Sequence, residues 1–254
     1  MRRFIKLSYN GSAYHGWQRQ PCASSVQQTL EESLETILRQ PIQVTGAGRT
    51  DTGVHARVMY AHFDYDSELP DRKRLINGLN RICGGSIGIS DIIDVHEAAH
   101  ARFDATLRTY KYFVALEKSP FLNDVSWYCP RDLDVEAMNE AAALLINTQD
   151  FTSFAKLHSD AKTNICDVSE ARWDTWDNQY GTPGLVFTIS ADRFLRNMVR
   201  AVTGTLVDVG RKKITLSQLK KIIECKDRCA AGTSMPAQAL FLWDIKYPYI
   251  ENEG

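Results

Sequence analysis

The order in which two kinds of periodicity follow one another limits the folds open to this chain more than any single motif does. RRFIKLSY, from Arg2 to Tyr9, alternates large residues as a strand does. GSAYHGWQRQP follows as a loop. Ser24 or Ser25 then caps a helix, each with a glutamine three residues on, and Val26, Leu30, Leu34, Ile37 and Leu38 share one face up to Pro41. IQVTGAG reads as a short strand and VMYAHFDY as the next. Later come a helix in SELPDRKRLINGLN, a strand in GSIGISDIIDV and a strong strand in TLRTYKYFVAL. A helix capped by Asp134, the strand PGLVFTISA, a helix over DRFLRNMVRAVTGTLVDVG, the helix TLSQLKKIIEC and the strand LFLWDIKYP complete the chain. Strand and helix segments are mixed without regular alternation, which predicts an α+β fold with a largely antiparallel sheet. An early strand–loop–helix–strand unit has a later counterpart. This predicts two related sub-domains, 1–107 and 108–254, joined in a central sheet with flanking helices.

At 254 residues, 44% hydrophobic and 24% charged, the chain can bury a sizeable core. No apolar run approaches the roughly 20 residues of a membrane helix. The opening MRRFIKLSYNGS lacks an apolar signal core and a small-residue cleavage site, so a cytoplasmic location is expected and Asn10-Gly11-Ser12 is a chance sequon. Six cysteines form no CxxC pair. Cys225 and Cys229 are spaced to share a helix face, yet a zinc site needs two more ligands, and His62, His96, His100 and His158 lack metal spacing. Reduced, mostly buried thiols and no metal are expected.

The segment GAGRTDTGVHA, Gly46 to Ala56, carries the chemistry. It is no phosphate loop, because Val54-His55 stand where Lys-Ser/Thr belong. It is a poor dinucleotide loop, because the third glycine comes too late and no apolar helix follows. A plain turn is the bland reading. Against it stand Arg49 and Asp51, two apart on a glycine-flanked stretch whose backbone can come close to something large and flat. One carboxylate is not a glycosidase pair. It can serve as nucleophile or base if a cation keeps it ionised. Candidate cations are Arg193, Arg196 and Arg200. The last two are expected on one helix face, with Arg200 among Met198, Val199, Ala201 and Val202.

GAGRTDTGVHA resembles the catalytic loop of the tRNA pseudouridine synthase A family, whose usual form is GRTDAGVHA. YNGSAYHGWQRQP, SVQQTLEESL, INGLN, HARFDATLRTYKYFV, DFTSFAK, FLRNMVRAVTGTLVDVG and MPAQALFLWDIKYP resemble the rest of that family in order, nearly end to end. Thr52 replaces the commoner alanine, and Ser234-Met235 vary a segment usually richer in alanine. The resemblance implies the pseudouridine synthase fold and isomerisation of uridines 38, 39 and 40 in the anticodon stem-loop of tRNA, without metal or nucleotide cofactor. It implies a homodimer with one tRNA spanning both subunits and an active cleft between the sub-domains. By the same resemblance Asp51 is the catalytic carboxylate, through addition to C1′ or removal of the C2′ proton. Tyr110 stacks on the flipped uracil and helps remove the C5 proton, Arg200 keeps Asp51 charged, and Arg49 supports the flipped-out state.

The net charge of −1 gives no sign of a nucleic-acid partner by itself. Residues 192–228, however, hold ten basic and four acidic side chains, an excess of +6. Arg196, Arg211, Lys212 and Lys213 from this segment, with Arg19 from the HGWQRQ loop, are the RNA-contact candidates. Trp17 suits either RNA contact or the core, and His55 either packing or substrate. The rival readings are a catalytically silent RNA-binding or chaperone module and, on the glycines alone, a nucleotide-binding oxidoreductase.

Overall fold

A computed structural model of the chain describes residues 1–130, 132–156 and 162–250. It mixes helices with a mainly antiparallel sheet, as the segment order predicts, and its contacts group into two compact units. The first comprises Met1–Thr106 and the described part of 242–254. The second is Leu107–Phe241. His158 lies outside the described residues.

In the first unit, strand β1 (Arg2–Tyr9) lies between β3 (His55–Asp64) and β4 (Ile87–Asp94), antiparallel to both, and the strand order is β4-β1-β3-β9, with β9 at Leu240–Lys246. Ile5, Leu7 and Tyr9 of β1 are buried along one face, and Phe4 is buried between the half-buried Arg2 and Lys6. Helix α1 (Val26–Leu38) starts at Ser25, whose hydroxyl accepts the Gln28 N–H at 3.3 Å. Only half of the expected capping box forms, because the Gln28 amide turns outward to Glu32. Arg39, in the left-handed region at φ 59°, ends the helix two residues before Pro41. The strand expected over IQVTGAG shrinks to β2 (Thr45–Gly46), because the Val44 N–H is taken by the Glu31 carboxylate at 3.1 Å. Helix α2 (Arg72–Ile82) is capped by Asp71 and buries Leu75 and Leu79.

In the second unit the order is β5 (Leu107–Ala115), β8 (Gly184–Ala191) and β7 (Val168–Thr175), all antiparallel, with the two-residue β6 (Trp127–Tyr128) parallel to β5. Every residue of β8 is buried, as befits a strand flanked on both edges. Helix α3 (Val135–Ile146) is capped by Asp134 as the sequence predicts, and α5 (Leu216–Cys225) has a complete capping box from Thr215 and Gln218.

Helix α4 corrects an expectation. It spans only Met198–Gly210, not the whole of 192–210. Asn197 sits at φ 67°, and the Asp192 carboxylate accepts the Arg193 N–H at 2.7 Å, so the chain before Met198 is a turn. Arg196 therefore precedes the helix and does not share a face with Arg200. Cys225 and Cys229 do not share a helix either: α5 ends at Cys225 and a left-handed Lys226 turns the chain. Cys83, Cys129 and Cys166 are buried, whereas Cys22, Cys225 and Cys229 are exposed, so the thiols are half buried rather than mostly so. Burial pushes the Cys166 thiol up to about 12 and raises that of Cys83, which keeps both protonated at neutral pH.

Candidate active site

The loop from Gly46 to Ala56 is built against the segment that follows β1. Trp17 is 3% exposed and packs against Gly46, where a Cβ would fall 2.5 Å from its ring. That places Trp17 in the core. The Thr50 carbonyl accepts the Trp17 N–H at 3.2 Å, and the buried Thr50 and Tyr9 hydroxyls meet at 2.8 Å. Gly16, at φ 94°, and Gly11 let the two segments touch: a Cβ on Gly16 would lie 2.6 Å from the Thr50 carbonyl oxygen, and one on Gly11 only 2.0 Å from that of Val54. The Gly11 N–H donates to His55 Nδ1 at 3.1 Å, and His55 is fully buried, so it packs beneath the loop.

Between these anchors the chain makes one tight turn. The Val54 N–H donates to the Asp51 carbonyl at 3.1 Å, and Gly53 at φ 79° occupies the position where a type II turn needs a positive φ. Asp51 is thus the first residue of a turn held at both sides, half-buried between Thr50 and Thr52, while Arg49 is exposed. Of the loop's glycines, Gly46 seats Trp17 and Gly53 makes the turn. Gly48 has open space where a Cβ would go. The backbone freedom suggested by the sequence is mostly spent inside the protein, on fixing where Asp51 sits.

In the second unit, Tyr110 lies on β5 opposite Ile189, half-exposed, with its ring edge-on to Phe194 at 5.1 Å and 83°. Tyr112, two residues on, is fully buried and donates to the Pro236 carbonyl at 3.1 Å, and burial holds its hydroxyl above the ordinary tyrosine range. Arg200 is the third residue of α4. Its Nε donates to the Met235 carbonyl at 2.6 Å, and its own carbonyl accepts the Met235 N–H at 3.1 Å. Gly204 admits this strap, since a Cβ there would lie 1.9 Å from the Thr233 carbonyl oxygen. The Ser234 hydroxyl accepts from Asn197 Nδ2 at 2.6 Å and Arg228 Nη2 at 2.8 Å. Of the Ser234-Met235 pair, Met235 therefore ties down Arg200, and Ser234 ties Asn197 to Arg228.

Comparison with known proteins gives this geometry a context. A family model described as tRNA pseudouridine synthase matches residues 141–248. The tRNA pseudouridine synthase A of Parabacteroides distasonis is 51% identical over 253 residues, covering 98% of this chain and 97% of that one. The protein of that name from Bacteroides thetaiotaomicron is 52% identical, covering 97% and 91%, and that from Caldicellulosiruptor bescii 37% identical, covering 96% and 98%. The chain belongs to the tRNA pseudouridine synthase A family.

For a member of this family the basic side chains matter next. Arg19 pairs with the buried Glu31 at 3.2 Å, a carboxylate that also accepts from Gln27 and from the Val44 N–H. Arg196 is exposed, and its carbonyl accepts the N–H of Lys156, another exposed cation. The Arg211 guanidinium lies 5.1 Å over the Trp127 ring and donates to Cys129 Sγ, so it is engaged within the protein. Lys212 pairs with Asp134 at 3.5 Å, Lys213 with Asp208 at 2.9 Å and Lys226 with Asp150 at 2.8 Å. Asp134 and Asp150 lie outside 192–228, so the excess of +6 counted along the chain is smaller in space.

Sequence spacing missed a cluster in the first unit. His62, His96 and His100 meet neighbouring rings: His62 and His100 are 4.7 Å apart, and His96 is 4.9 Å from Tyr249. Burial, with the nearby Arg2 charge, lowers the His62 pKa to about 4. Among the described residues no three His, Cys, Asp or Glu side chains are placed to hold a metal, and no helix is long and apolar enough to cross a membrane. The signal was available in HARFDAT, where the resemblance marked the segment without giving it a task.

Proposed function

We propose that this chain isomerises uridine to pseudouridine in tRNA, at positions 38, 39 and 40 of the anticodon stem-loop, with Asp51 as its catalytic carboxylate. The observation that carries this reading is that relatives about half identical over nearly the whole chain bear the name tRNA pseudouridine synthase A. The reaction is redox-neutral. The bond from C1′ to N1 breaks, one from C1′ to C5 forms, a proton leaves C5 and one is gained at N1. An ionised carboxylate at a fixed place begins it, either by adding to C1′ or by taking the C2′ proton. A turn clamped by Gly11, Gly16 and Trp17 supports such a role, because a carboxylate held in advance needs no ordering when substrate arrives.

Tyr110 is assigned to stack on the extruded uracil and to assist loss of the C5 proton, and the Phe194 edge contact supports a fixed ring. Arg200 is assigned to hold the carboxylate ionised, and Arg49 to enter the space the base leaves. The exposed Arg19, Arg196, Lys212 and Lys213 are assigned to phosphates, and the protein is assigned to the cytoplasm as a homodimer. The test is pseudouridine formation in cofactor-free buffer on three unmodified tRNAs, each with uridine at one of the three positions. Product at all three is expected. Binding without product would leave a silent RNA-binding module.

A further inference from the structure

The turn at residues 99–104 is built more tightly than its surface position requires. His100 Nδ1 accepts both the Arg102 N–H at 3.1 Å and the Phe103 N–H at 3.3 Å. The Asp104 carboxylate accepts the His100 N–H and the Tyr249 hydroxyl, each at 2.8 Å. His62 Nδ1 accepts the Ala101 N–H at 3.1 Å. What these bonds hold in place is an aromatic ring in water: Phe103 is 74% exposed. The exposed Arg102 guanidinium lies 5.8 Å over that ring, and the His100 ring lies 4.2 Å from it, tilted by 33°.

We propose that the Arg102–Phe103 turn is a second RNA contact of this chain, at which Phe103 stacks on an unpaired base and Arg102 meets the neighbouring phosphate. The proposal rests on tRNA being the substrate. A protein partner fits less well. One ring with a cation beside it offers far less than the roughly 800 Å² each partner gives to a stable interface. An aromatic face paired with arginine is what single-stranded nucleic acid uses, since every base has a face to stack. The contact is also remote from the aspartate loop. His55 begins β3 beside that loop and His62 lies seven residues on, beside the turn, so roughly 23 Å of strand separates them. The turn therefore serves affinity and placement, and it leaves the chemical step alone.

The experiment measures tRNA affinity and single-turnover pseudouridine formation for wild type, Phe103→Ala, Phe103→Leu, Phe103→Trp and Arg102→Ala, with melting and sedimentation as controls. Phe103→Ala is expected to weaken binding about five- to a hundredfold, the loss of one stacked base, with an unchanged rate at saturating tRNA. Phe103→Trp should bind as wild type, Phe103→Leu should fall between, and Arg102→Ala should flatten the salt dependence by about 0.7. Unchanged affinity in Phe103→Ala, or Phe103→Leu equal to wild type, overturns the proposal. So does a change of oligomeric state in place of affinity. If wild type binds tRNA but forms no pseudouridine, the functional reading fails while the affinity series still decides the role of this turn.

Discussion

Replacing Gly11 with alanine tests whether the aspartate loop is held in place by its neighbour. The added Cβ would start 2.0 Å from the Val54 carbonyl oxygen, against 3.4 Å for an ordinary contact, so one backbone segment must move by about 1.4 Å. Both segments are backbone with few ways to yield: the Gly11 N–H is bonded to the buried His55, and the Val54 N–H closes the Asp51 turn. Overpacking of this kind costs about 1–3 kcal/mol. At roughly 2–4 °C per kcal/mol for a chain of this size, melting should fall by about 2–12 °C. A displacement of this order at a catalytic group lowers turnover about a hundredfold. Gly48→Ala is the internal control, because nothing lies within 4 Å of its new Cβ, and it should melt as wild type. Calorimetry and single-turnover assays on both variants decide the matter. Gly11→Ala with wild-type melting and wild-type turnover would refute the clamp.

Acid should loosen the first unit through His62. Its folded pKa of about 4 lies below the unfolded 6.5, so its contribution is complete above pH 6.5 and is lost as pH falls toward 4, by about 3 kcal/mol. Urea midpoints at pH 7 and pH 4.5 should therefore differ more for wild type than for His62→Gln, and equal differences contradict the burial argument. Arg200→Ala should cost about 1.5–3 kcal/mol, the value of a charged hydrogen bond, because the Met235 carbonyl loses its donor. An unchanged melting temperature would show the strap does not depend on it. Changing Lys212 and Lys213 to serine should flatten the plot of log tRNA affinity against log salt by about 1.4–1.8, with Arg211 adding nothing because it is stacked on Trp127. A loss near three units on also changing Arg211 would contradict that assignment.

Much of this could be read from the sequence, and the misses share a cause. Strands such as Arg2–Tyr9 and the helix capped by Asp134 were legible because alternation and capping are local signals. The start of α4 was not, because DRFLRN keeps a helical spacing of apolar residues while Asp192 and Asn197 bond and twist the backbone out of it. Strand β7 went unread although Ala171 and Trp173 alternate with Glu170, Arg172 and Asp174 as a half-buried strand requires; its apolar positions are few and its register shifts between Val168 and Glu170. The aspartate loop was legible as a site from its residues, but the purpose of its glycines was not. Close approach of Gly11 to Val54 and of Gly46 to Trp17 depends on partners far along the chain. Pairing of Lys212 with Asp134 and Lys226 with Asp150 is likewise long-range, so a window of sequence overstated the local charge.

The central claim is that Asp51 performs the chemistry, and Asp51→Asn tests it most directly. The amide keeps nearly the shape of the carboxylate but supplies neither nucleophile nor base. Single-turnover pseudouridine formation and tRNA affinity should be measured on the same preparation. The account predicts no detectable product with affinity close to wild type. Measurable turnover by Asp51→Asn contradicts it.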